Sequence, residues 1–174
     1  MKSIKNYIQE KLVIKKSNYN YFPQTKKELK LIIEKRIKDE GNEVDLNDID
    51  TSNITNMSSL FEQTSFNGDI SKWNVSNVTN MFAMFADCRL FNQNISNWNV
   101  SNVTDMNYMF SNCYKFNQDI SAWDVSNVDD MRSMFYNCKS FNKDISNWNV
   151  SKVKEYYFAF SNCGIQEKYK PKFK

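Results

Sequence analysis

Tryptophan stands at 73, 98, 123 and 148 and cysteine at 88, 113, 138 and 163, so the chain repeats one 25-residue phrase four times. A period of roughly 20 to 50 residues constrains the fold more than any other feature, because so short a unit buries its apolar face only against its neighbours. The units read WNVSNVTNMFAMFADCRLFNQNISN from Trp73, WNVSNVTDMNYMFSNCYKFNQDISA from Trp98, WDVSNVDDMRSMFYNCKSFNKDISN from Trp123 and a fading WNVSKVKEYYFAFSNC from Trp148. A degenerate unit precedes them, with Ile49 in the Trp place, Ile54 in that of the second Val, Met57 and Phe61 in those of Met and Phe, and Thr64 in that of Cys. Altered end units are expected where a stack meets water.

Inside a unit the apolar spacing changes. Trp73 and Val75 lie two apart, as in a half-buried strand, whereas Val78, Met81, Met84, Phe85 and Cys88 step by threes and fours, as on a helix face. This predicts a short strand followed by a short helix, with Ser76, Asn77 and Thr79 at the helix start and Asp105 and Asp130 in first turns. The expected class is α/β, a right-handed, leucine-rich-repeat-like solenoid with a helical N-terminal cap.

Residues 1–45 are read as that cap, 46–163 as the repeat body and 164–174 as a basic tail. Within the cap, LVI and YNYF between Lys11 and Phe22 read as strand-like pieces ended by Pro23. Thr25 then offers an N-cap, Glu28 completes a capping box and Gly41 supplies a stop, predicting an amphipathic helix over 26–40. Leu29, Ile32, Ile33, Arg36 and Ile37 share one face, which either closes the end of the stack or docks a partner.

Charge follows the same division. Residues 1–40 carry 11 Lys and Arg against 5 Asp and Glu, residues 41–151 carry 6 against 13, and residues 152–174 carry 6 against 2. An acidic body disfavours nucleic acid along the repeats, since binding phosphate needs clustered cations. Lys26, Lys27, Lys30, Lys35 and Lys38 with Lys168, Lys170, Lys172 and Lys174 leave RNA binding at the ends as the alternative reading. No apolar run is long enough to span a membrane, and the start MKSIKNYIQEKLVIKK lacks the core of a signal peptide. On its own the chain reads as cytoplasmic.

Chemistry is scarce. The sequence has no His, which removes Ser-His and Cys-His nucleophile systems, and its three Gly do not build a phosphate loop. The Asp69, Asp119 and Asp144 column is interrupted by Asn94 and reads as turn caps. Cysteines 25 apart do not match the close pairs of metal sites, so Cys88, Cys113, Cys138 and Cys163 are expected as buried reduced thiols about 10 Å apart on a helical side. With Trp73, Trp98, Trp123 and Trp148 they form the expected core ladder. The reading is non-catalytic, with no cofactor and no metal.

Two sets of positions remain as candidates for a partner. Asn74, Asn99, Asp124 and Asn149 form one near-uniform polar column, read either as a binding floor or as turn-capping structure. Phe82, Tyr108, Arg132, Tyr136 and Tyr157 differ between units, on the expected helix exterior and exit loops, and are of the types that anchor interfaces.

The strings FNQNISNWNVSNVTDM and MFSNC, with the lead-in from Thr25 to Phe61, resemble a mycoplasma-type repeat family of unknown function, including lipoprotein-associated proteins and those encoded by palindromic amphipathic repeat elements. That family is similar in turn to bacterial surface-antigen leucine-rich repeats. The resemblance covers about residues 11–163. It implies an α/β repeat fold, no enzymatic activity, and for some members a place on the cell surface as lipoproteins or recombining antigens. That place is open to this chain only if an export signal has been trimmed. Together these readings predict a non-catalytic protein-binding module, a surface antigen or adhesin, with a host or self protein as partner.

Overall fold

The computed structural model describes residues 19–173, so the LVI segment lies outside the described residues. One α-helix, α1 (Lys26–Glu40), is followed by irregular-looking chain that ends in a 3₁₀ turn, Glu167–Tyr169. The Thr25 hydroxyl accepts from the Glu28 N–H at 3.2 Å, while the Glu28 carboxylate reaches one residue further back, to the Gln24 N–H at 2.7 Å. Gly41 closes the helix at φ +91°, its N–H bonded to the Ile37 carbonyl. Leu29 and Ile33 are buried in the common core, and Arg36 ties α1 to Asp48 at 2.8 Å.

The strand and helix expected in each unit do not form, and this corrects the α/β leucine-rich-repeat reading. Among the described residues the repeats hold no strand and no α-helix; Asn56, Asn80, Asp105, Asp130 and Glu155 pair in succession only as isolated parallel bridges. Each unit is instead a run of separate turns. The N–H of Trp73 returns to the Ile70 carbonyl, Val78 to Val75, Met84 to Met81, Cys88 to Phe85 and Phe91 to Cys88. In such i→i+3 turns the first and last residues are apolar and belong to the core cluster, while the middle pair stays outside it. Steps of three are therefore common to turn corners and a helix face, and periodicity alone does not separate them.

What decides for turns is the bonding between units. The N–H groups of Met81, Ala83, Phe85 and Asp87 donate not to their own chain at i−4 but to the carbonyls of Asp105, Asn107, Met109 and Ser111 one unit later. The same four-bond pattern joins segment 57–63 to 80–86, 106–112 to 130–136, and 131–137 to 155–161, at 2.7–3.0 Å. Five coils are thus hydrogen-bonded face to face. To aim alternate N–H groups forward, Ala83 and Asp87 take φ of +50° and +58°, as do their equivalents Tyr108, Asn112, Ser133, Asn137, Phe158 and Asn162. This is the third turn position, which a type II turn reserves for positive φ. Asn suits it, whereas a left-handed Ala, Tyr, Ser or Phe costs roughly 1–2 kcal/mol and is held there by the ladder.

Direct bonding packs the coils tightly. Phe61, Phe85, Phe110, Phe135 and Phe160 stack with ring centroids 5.4 to 5.6 Å apart, and Phe66, Phe91, Phe116 and Phe141 form a second column beside them. Trp73, Trp98, Trp123 and Trp148 are buried, each indole N–H donating to a carbonyl of the preceding unit, from Leu46 to Ile120. The helix-packing distance expected between cysteines has no helices to set it. Cys113 and Cys138 are buried and donate their thiols to the Phe85 and Phe110 carbonyls at 2.9 and 2.8 Å, and all four cysteines are free. Burial pushes the Cys88 thiol up to about 11 and those of Cys113 and Cys138 well above the usual range.

Candidate interaction surface

Two kinds of side chain reach the surface of a coil. At the corners, Asn74, Asn99, Asp124 and Asn149 are exposed, yet each accepts through Oδ1 from the backbone N–H two residues on, at 3.0 to 3.2 Å. Asp69, Asn94, Asp119 and Asp144 do the same for Ser71, Ser96, Ser121 and Ser146. Hydrogen bonds from the Ser126 hydroxyl and N–H hold the Asp124 carboxyl below its ordinary range. These Asx turns set the chain direction where it leaves one turn for the next. Asp105 and Asp130, expected in helix first turns, are Asx residues too, accepting from the Asn107 and Arg132 N–H groups. Ser76, Asn77 and Thr79 cap no helix: Ser76 donates to Asn74, Asn77 to the Ser52 carbonyl, and Thr79 across the coils to Thr55.

The varied positions lie on turns, not on a helix exterior. Phe82, Asn107, Arg132 and Tyr157 occupy the second place of the first turn in successive coils, Ala83, Tyr108, Ser133 and Phe158 the third, and Ala86, Ser111, Tyr136 and Ser161 the second place of the following turn. Stacking sets large beside small. Ala83, Ala86, Ser111 and Ser133 are buried, whereas Phe82 is 37 % exposed, Tyr108 43 %, Tyr136 37 % and Phe158 68 %. The result is two adjoining grooves of about 360 and 330 Å³ that share Tyr108 and Tyr136. Phe82 and Tyr108 meet edge to face at 6.3 Å in the first, and Phe158 bounds the second. Small floors with aromatic walls suit an apolar or aromatic side chain, and no His, metal cluster or nucleophile–base pair accompanies them among the described residues.

A family model described as "Mycoplasma protein of unknown function, DUF285" matches residues 33–123 and again residues 64–170. The chain belongs to that family. No curated protein and no solved structure matches it. The two overlapping matches follow the repeat region of this DUF285 protein and include the whole groove.

Other candidate residues are placed differently. Arg132 folds back on its own Asp130, with Nη2 2.5 Å from the carboxylate. Tyr157 stands at the end of the stack, 6.3 Å from Tyr156 and away from the groove lining. Several lysines of the RNA reading are engaged: Lys26 bonds the Ser58 hydroxyl, Lys35 pairs with Asp39, Lys170 with Glu167, and Lys168 lies over the Tyr169 ring. Lys174 lies outside the described residues. The floor residues of the groove, Ala86, Ser111 and Ser133, do not stand out as a site in the sequence. Their signal is size alternation between equivalent positions of neighbouring units.

No helix among the described residues is long and apolar enough to cross a membrane.

Proposed function

We propose that this protein is a non-catalytic binding module that captures a protein partner through the aromatic groove of Phe82, Tyr108, Tyr136 and Phe158. One observation carries the reading: the positions that depart from the repeat converge on one face, where large exposed rings stand over buried small residues. Aromatic side chains anchored on rigid backbone lose little entropy on binding and dominate interface energetics. The Asx corners are exposed as well, but their oxygens are committed to the chain's own turns, which leaves the groove as the better surface. A surface antigen or adhesin role would be one use of such a face, with a host protein as its partner.

The test is capture from arrayed host and self proteins by the immobilised chain, repeated with a Tyr108→Ser/Tyr136→Ser double variant. A partner retained by the parent and lost by the folded variant supports the reading. A partner held equally by both, or tight RNA binding that collapses with salt and survives the double substitution, overturns it.

A further inference from the structure

The inter-coil bonding stops short at the last coil. Met131, Ser133, Phe135 and Asn137 donate forward to Glu155, Tyr157, Ala159 and Ser161, but the equivalent N–H groups of Phe158, Phe160 and Asn162 have no acceptor among the described residues. The peptide groups in this row all point C=O backward and N–H forward. Their dipoles therefore add along the stack, as in a helix, and leave partial positive charge on the terminal N–H row. The tail lies against part of this end: Phe173 stacks on Tyr156 at 4.4 Å and tilts over Phe160 at 6.2 Å, and the Lys170 ammonium sits over the Phe160 ring at 5.8 Å. Tyr157 remains 66 % exposed beside an opening of about 450 Å³ with Lys170 at its edge.

The opposite end carries α1, whose Leu29 and Ile33 are buried in the common core and whose Lys26 bonds the Ser58 hydroxyl of the first coil. A second copy therefore presents α1 rather than a bare coil at its N-terminal end, and two C-terminal ends face to face would set N–H against N–H.

We propose that the open end binds the turn segment of a 25-residue unit carried by a different chain, which continues the stack by one coil. The internal interfaces state what that occupant offers: carbonyls at alternating residues for the waiting N–H row, and a ring that takes the place of the Lys170 ammonium over Phe160 and stacks there as each Phe stacks on the next at 5.4 to 5.6 Å. Main-chain bonds supply the affinity and the ring the selection, as in strand addition to a sheet edge. Charge agrees, since residues 152–174 carry six lysines against two acids while residues 41–151 carry 13 acids against 6 bases.

Amide hydrogen exchange on the full chain, alone and with a peptide of residues 98–122, tests this. In the free chain the amides of Phe158, Phe160 and Asn162 exchange fast while those of Phe110 and Phe135 are protected; with peptide, the terminal three gain protection of about tenfold or more. The peptide with Phe110→Ala binds about tenfold more weakly for want of its stacked ring. Tyr157→Asp in the protein weakens binding, and Tyr136→Ser, which belongs to the groove, leaves it unchanged. Terminal amides already as slow as that of Phe135, no protection at millimolar peptide, or equal protection by a scrambled peptide overturns the proposal.

Discussion

Columns that repeat and columns that vary sit side by side on every coil, and they differ in what they are bonded to. The Phe, Trp, Cys and Asx columns are tied to the neighbouring coil or to their own turn: Cys113 to Phe85, Trp98 to Ile70, Asn99 to Ser101. The varied column of Phe82, Asn107, Arg132 and Tyr157 joins the ladder through backbone carbonyls that accept from the coil before, Asn107 adding a side-chain bond to Asp130 of the next coil at 3.4 Å. Any L-residue supplies that carbonyl. Side-chain identity is thereby released where the backbone is most constrained, so recognition and folding need not compete for the same atoms.

Substitutions separate the two kinds of column. The largest effect is expected from Phe110→Ala, which removes a buried ring from between Phe85, Phe116 and Phe135. It should cost about 3–5 kcal/mol in denaturant unfolding. A loss under about 1 kcal/mol would mean that the ring column does not hold the stack together. Next comes a pH effect of the Cys88 column. The unfolded thiol ionises near 9.0 and the folded one near 11, so stability is intact below about pH 9 and declines as pH rises toward 11. The loss is on the order of 2 kcal/mol by linkage, and Cys88→Ala should flatten that part of the profile relative to the parent. A Cys88→Ala profile parallel to the parent's would refute the assignment.

Smaller is Asn99→Ala, which strips the acceptor from the Ser101 N–H and should cost about 1 kcal/mol while leaving partner capture intact. Loss of capture at unchanged stability would reverse the roles of corner and groove. Smallest is the varied column itself: Tyr108→Ser and Tyr136→Ser should each move stability by less than about 0.5 kcal/mol. A cost above about 2 kcal/mol would make these rings structural and erase the distinction between the columns.

Much of this was legible in the chain. Thr25, Glu28 and Gly41 mark α1 because capping is local chemistry, readable within a few residues. The Trp and Phe columns announce burial because the same side chain at a fixed interval is stacked on itself. The path of the chain inside a unit was not legible. Met81, Met84, Phe85 and Cys88 fit a helix stripe as well as two turns, and the choice rests on hydrogen bonds to residues about 24 positions away. For the same reason the groove was only half visible. That Phe82, Tyr108 and Tyr136 break the repeat is plain in the sequence; that Ala83, Ser111 and Ser133 lie beneath them follows only from the register of one coil on the next.

Nearly all of the ladder bonds run between adjacent coils, and each interface reproduces the one before it. Adding or deleting one whole 25-residue unit would therefore leave every remaining junction satisfied, along with the helix at one end and the tail at the other. Length in such a molecule is a count rather than a design: reach from the surface of α1 to the last coil, and the number of groove segments on offer, change in whole steps without any residue elsewhere having to adapt.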